Sequence, residues 1–195
     1  MTTAWTRKTW AAIAAGLMVL AAVATLALGT EPSQADTTPS ITPEPLTDHR
    51  HEFTDDVRAQ VRAKPDGRPM GVANLRDASN LAVVEITIEP GAQFPWHTHP
   101  GPVLVAVKDG AGEGDAAFVF VFADDCEPRP YEVGQAFIDL GKDVHMAYNP
   151  SDQDTVVIAI FLAAPDADAE DPRLTVPVPA DEGADLDDKC GIERL

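Results

Sequence analysis

Cations and cysteines are scarce in this chain of 195 residues, and both shortages narrow what it can do. Lys and Arg number 14 against 32 Asp and Glu, a formal net charge of −18. Phosphate backbones and anionic membrane surfaces are held by clustered Lys and Arg, and here those residues are scattered. The composition therefore argues against nucleic acid as a partner and leaves the membrane only the N-terminal segment. Two cysteines, Cys126 and Cys190, offer no Cys-x-x-Cys redox pair. No Gly-rich phosphate loop follows a strand, Gly-x-Ser-x-Gly does not occur, and no His-Glu-x-x-His helix is present, which sets aside three common catalytic frames. The acidic run at 181–188 lacks the glycine and glutamate positions of a calcium loop and reads as a solubilising tail. Helical periodicity is nearly missing as well.

What is present reads as strand. Segments 81–89, 102–108, 116–122, 135–140 and 155–163 are rich in β-branched and aromatic residues. Turn signals separate them: Pro90-Gly91, Asp109-Gly110, Gly112 to Gly114, Gly141 and Asn149-Pro150. Many short strands with regular punctuation predict an all-β sandwich or barrel, and 45% hydrophobic residues suffice for one β core. Glu85 and Glu89 share a strand face opposite Val84, Ile86 and Ile88, so they are expected in solvent rather than as a catalytic carboxylate pair.

The ends read differently. Arg7 and Lys8 precede an apolar run from Trp10 to Leu28, with Ala27-Leu28-Gly29 and Ser33-Gln34-Ala35 as cleavage candidates. Residues 1–35 are thus expected to be a signal peptide or, uncleaved, a membrane anchor, placing the protein outside the cytoplasm as a secreted or tethered domain. Residues 36–52 read as a disordered Pro/Thr-rich linker, 53–165 as the β-barrel domain and 166–195 as an acidic tail. Within these, 54–63 predicts a short helix N-capped by Thr54, and 173–178 an edge strand. In an exported chain Cys126 and Cys190 are expected to pair, closing a loop worth about 4 kcal/mol and tying the tail back; two unpaired thiols are the alternative.

Five histidines remain to be placed. His97 and His99, at i and i+2 of an extended segment, project from one face, so both imidazoles can reach one ion, and His145 could close the coordination sphere from another strand. His49 and His51 lie in a linker-like stretch and read as solvated.

The frame around the first three histidines resembles the cupin superfamily, small single-domain RmlC-like barrels in particular. In residues 91–110, Gly91, His97, His99 and Gly110 match the family's first motif, with Val103 where its glutamate ligand stands. In residues 134–149, Gly134, His145 and Asn149 match the second motif, and Gly141 could supply the residue with positive φ at its turn. The resemblance implies a double-stranded β-helix, or jelly-roll, barrel. It implies metal ligands His97, His99 and His145, with no fourth protein ligand unless Gln93 substitutes for one. Iron, zinc, manganese, nickel and copper all accept such a set. Three neutral imidazoles would leave the ion its full +2 charge, attractive to an anionic or chelating small molecule. The implied function is an iron-dependent oxygenase, since some cupin-like dioxygenases work with three histidines; the alternative is a non-catalytic module binding a small ligand or metal. Tyr148 is a weak candidate acid or base, and cupin-like barrels often form homodimers. Phe94, Trp96, Phe118, Phe120, Phe137 and Met146 are expected to fill the barrel or line a pocket.

Overall fold

The computed structural model describes residues 38–46, 51–65, 67–75, 80–162 and 174–194. The export segment expected at residues 1–35 lies outside the described residues, as does His49. Among the described residues no helix is long and apolar enough to cross a membrane.

In chain order the elements are β1 (Ile41–Pro45), β2 (His51–Glu52), β3 (Ala59–Ala63), β4 (Gly71–Leu75), β5 (Asn80–Ile88), β6 (His97–Thr98), β7 (Val103–Asp109), β8 (Phe118–Phe122), β9 (Pro128–Tyr131), β10 (Ala136–Asp139), β11 (His145–Tyr148), β12 (Thr155–Leu162), β13 (Val176–Pro177) and α1 (Ala180–Cys190). One sheet runs β1-β5-β12-β7-β10, with β2 also on β5; the second runs β13-β6-β11-β8-β9; β3 and β4 form a separate hairpin. Every pairing between these strands is antiparallel. This is the all-β class that the strand pattern predicts, in the jelly-roll arrangement that the resemblance implies.

Alternation decides what fills it. On β8, Phe118, Phe120 and Phe122 join Ile88, Val107, Ala147 and Val157 in the main core, while Val119 and Val121 point the other way. Both faces of β8 are buried, which is why FVFVF shows no polar alternation. The outer face is covered by the C-terminal segment: Val178, Leu186, Cys190 and Ile192 pack against Trp96, Val121 and Met146.

Three expectations for the ends are corrected. The linker at 36–52 contains β1 and β2, both paired with β5. Pro43 and Pro45 are tolerated in β1 because the flanking bonds, Glu89 N–H to Ser40 O and Leu46 N–H to Val83 O, place the hydrogen-bonded positions at even residue numbers. Residues 59–63 are strand rather than helix. The segment is too short to hold a helix in water, whereas Lys64-Pro65 turns it onto β4 and pairs Val61 with Ala73. The acidic tail holds α1, with Asp181 and Glu182 in its first turn, Lys189 in its last and Gly191 as a left-handed C-cap. Its acidic composition masked an apolar stripe that has Trp96 to pack on.

The tail is tied back as expected. Cys126 and Cys190 form a disulfide. Trp96 Nε1 donates to Asp187 Oδ1 at 2.7 Å, and Arg194 forms an ion pair with the same carboxylate at 2.7 Å. Burial alone would raise the pKa of Asp187, but the bonds from Arg194 and Trp96 outweigh it and hold the group below its usual range. Val176 and Pro177 form the edge strand β13 against β6.

Candidate metal centre

His97 and His145 face each other directly across the β6–β11 pair. His99 follows β6, its N–H donating to the Gly141 carbonyl at 2.7 Å. Gly141 has φ of +90°, and a Cβ there would collide with the Gly101 carbonyl oxygen, so the turn between β10 and β11 needs glycine at this point. The side-chain ligand atoms of the three histidines lie within 4.8 Å of one another. His97 and His145 are buried, and 9% of the His99 side chain is exposed.

Backbone carbonyls orient all three rings. Nδ1 of His97 lies 2.6 Å from Pro95 O, that of His99 2.8 Å from Leu174 O, and that of His145 2.9 Å from Asp143 O. A carbonyl only accepts, so each Nδ1 carries its proton and each Nε2 is left with a lone pair. His145 Nε2 and His99 Nε2 stand 3.3 Å apart, two acceptors facing each other. An electron-poor centre between them would relieve that arrangement, and carbonyl-anchored Nδ1–H groups are the usual support of metal-binding imidazoles.

Electrostatics keep the rings neutral. Burial is the main cause that lowers the His97 pKa, against the pull of the Pro95 carbonyl. Burial and then the neighbouring His97 bring His99 down to about 4. His145 falls well below its ordinary value through burial, then through His97 and His99. At neutral pH all three therefore keep the form that binds metal. Aromatic rings wall the site: Phe120 stacks on His145 at 4.6 Å and Phe161 meets His99 edge-on at 5.4 Å.

One further residue reaches this space, and the motif frames do not point to it. Asp139, at the end of β10, is 2% exposed, and neither carboxylate oxygen has a hydrogen-bond partner among the described residues. Its Oδ2 lies 4.0 Å from His99 Nε2 and 3.9 Å from His145 Nδ1. Burial, with the Asp143 charge adding to it, raises the Asp139 pKa to about 7; the Gly141 and Leu140 amides and Arg68 pull the other way without any amide reaching hydrogen-bond geometry. A sequence signal existed. Phe137 packs into the core, and the strand period of two carries Asp139 to the same face.

Other candidates lie elsewhere. Tyr148 packs with Met146 and Trp96 beneath the C-terminal segment, on the face of β11 opposite His145. Gln93 is no substitute ligand: its Nε2 donates to Glu193 O at 2.8 Å. Glu85 pairs with Lys108 at 2.7 Å, and Glu89 accepts from Ser40 N. A cavity of about 380 Å³ adjoins the centre through Phe120, and is further lined by Phe122, Tyr131, Phe137, Ile138 and Lys64.

No protein-family model matches the chain, and no curated protein matches it. Among solved structures, the chain is similar to a cupin domain from Bordetella pertussis Tohama I, at 16% identity over 65% of this chain and 96% of that one, TM-score 0.41. It is similar to the polyketide cyclase RemF from Streptomyces resistomycificus, at 16% identity over 53% of this chain and 63% of that one, TM-score 0.40. A sugar phosphate isomerase of the cupin superfamily from Silicibacter pomeroyi is 24% identical over 42% of this chain and 50% of that one, TM-score 0.35. The two antiparallel sheets are of the kind that the two histidine motifs imply, and the buried three-histidine group suits a divalent ion.

Proposed function

We propose that this is an exported cupin-type enzyme in which His97, His99 and His145 hold a divalent iron for oxygenase chemistry on a small molecule. One observation carries the reading. Three buried Nε2 lone pairs converge while every Nδ1 proton is committed to a backbone carbonyl, an arrangement with no benefit to stability on its own. When bound, iron would supply open coordination positions for a chelating substrate and dioxygen.

The chain's own residues would do the rest. Phe120 and Phe161 keep bulk water from the imidazoles, and the cavity bordered by Phe120, Phe137 and Tyr131 suits an apolar or aromatic portion of a substrate. Lys64 at the same cavity offers a cation for an anionic group. In this reading residues 1–35 direct export and the disulfide belongs to an oxidising compartment.

The test is metal analysis of the purified protein beside His97→Ala, followed by oxygen uptake with small diketones, thiols and phenolics. Iron near one equivalent, lost in the variant, with substrate-dependent uptake is the expected result. Less than about a tenth of an equivalent of any transition metal after supplemented purification overturns the centre. Bound metal with no uptake favours the second reading, a non-catalytic module, to which the valine at position 103 lends weight.

A further inference from the structure

We infer that the C-terminal segment, residues 174–194, is a working part of this metal centre: docked, it holds His99 in the tautomer that binds metal, and the Cys126–Cys190 disulfide keeps it docked. The inference rests on the three-histidine reading and deepens it by adding a positioning element and its lock. The three imidazoles take their orienting carbonyls from different distances along the chain. Pro95 and Asp143 stand two residues before His97 and His145, so each of those bonds is made locally wherever the strand forms. Leu174 is 75 residues from His99. That third bond, at 2.8 Å, exists only while residues 174–178 lie against β6.

Local contacts hold those residues weakly. β13 is two residues long, Val176 is 52% exposed, and the pairing is extended only by Val178 N–H to Trp96 O at 3.0 Å and by Leu174 against Val103 and Phe161. A pairing this short is not stable alone, and α1 beyond it has 11 residues, none of them buried, a length at which a helix is marginal in water. Firmer ties come from the far end of α1. Cys190 is bonded to Cys126, Lys189 Nζ donates to Ala123 O at 2.6 Å, and Asp187 accepts from Trp96 Nε1, beside His97 in the chain. Without the disulfide, docking is left to non-covalent contacts. Once the segment undocks, His99 Nδ1 loses its carbonyl, and the proton is free to occupy Nε2, which faces His145 Nε2 at 3.3 Å. A protonated Nε2 has no lone pair for a metal, so apparent affinity falls in proportion to the fraction of molecules that stay docked.

The test joins a metal-free measurement to a metal titration, on the native chain and on one carrying both Cys126→Ser and Cys190→Ser. Nitrogen NMR of the imidazoles in the apo protein reports which ring atom holds each proton, and cobalt(II) titration reads affinity without any substrate. In the variant His99 alone should lose its Nδ1–H form while His97 and His145 keep theirs, and cobalt(II) binding should weaken by about ten-fold or more. A change in all three rings together marks general loosening and overturns the inference. An unchanged His99, or affinity within about two-fold of the native protein, likewise overturns it and leaves the histidine site standing. Far-ultraviolet circular dichroism first shows the variant to be folded; should it not fold, Asp187→Ala, which removes the bonds to Trp96 and Arg194 on the same segment, carries the same test. A native protein that takes up no cobalt(II) overturns the three-histidine reading and this inference with it, and is recognised because it fails before any substitution is made.

Discussion

Two clusters of polar side chains sit on either side of Phe122, and they are built on opposite principles. On one side Arg68 pairs with Asp124, with Asp125 at 3.1 Å and with Asp143 at 3.0 Å, while Arg129 reaches Asp125 at 2.8 Å and the Glu127 carbonyl at 2.8 Å. Both guanidinium groups lie near the Phe122 ring, 3.9 and 5.0 Å from its centre. On the other side, 6.4 Å from that ring, His145 begins a group of three converging imidazoles and one carboxylate that has no hydrogen-bond partner among the described residues. The carboxylates show the contrast. Burial tends to raise Asp125, but the bonds from Arg129 and Glu127 N–H and the nearby Arg68 prevail and bring it to about 2, whereas burial prevails at Asp139 and takes it to about 7. Buried polarity that serves structure is paired; polarity left unpaired points to a partner from outside. Asp143 joins the two, its carboxylate on Arg68 and its backbone carbonyl on His145.

The sharpest way to break the comparison is at the unpaired cluster. His145→Ala is expected to abolish stoichiometric metal binding, leaving under about a tenth of an equivalent, while the apo protein keeps its far-ultraviolet circular dichroism. At the paired cluster the loss should be of stability. Replacing both Cys126 and Cys190 by Ser frees the turn that carries Asp124 and Asp125, and is expected to lower unfolding free energy by about 4 kcal/mol in denaturant titrations. Arg129→Met leaves Asp125 without its closest partner; because that carboxylate is partly solvated, a loss of about 2 kcal/mol is expected, with metal stoichiometry unchanged.

Asp139→Asn should act in the opposite sense, stabilising the metal-free protein by about 1 kcal/mol near neutral pH. The sign follows from linkage: a folded-state pKa of about 7, above the ordinary 3.8, gives stability that is fully present below 3.8 and is lost as pH rises through 7. The advantage of Asp139→Asn over the native chain should therefore be smallest near pH 4 and largest above pH 7. Apo unfolding curves at several pH values measure it, and a gap independent of pH would mean that the carboxylate is not the source.

Much of the barrel was legible because strands report themselves locally. Five segments rich in β-branched and aromatic residues became β5, β7, β8, β10 and β12 within a residue or two at their ends. The histidines were legible for the same reason, since i and i+2 share a face whatever the remainder of the chain does. The errors fall where a partner decides the conformation. Prolines at 43 and 45 read as linker until β5 offers an edge, residues 59–63 until β4 turns back, and the acidic stretch of α1 until Trp96 and Val121 present a surface. Tyr148 and Gln93 were read as near the site because they are near it in sequence. One residue of alternation sends Tyr148 to the other face, and Arg194 and Glu193 draw Gln93 away.

By itself the sequence determined the class of fold, the spacing of three imidazoles and the disulfide partners, because periodicity, turn chemistry and the count of cysteines are properties of the chain read one residue at a time. Only the tertiary structure decided that a buried carboxylate, Asp139, stands beside the imidazoles. Val103 and Asp139 are far apart in the chain and become neighbours through the register of β7 on β10, and a side chain's lack of partners exists only once everything around it has been packed.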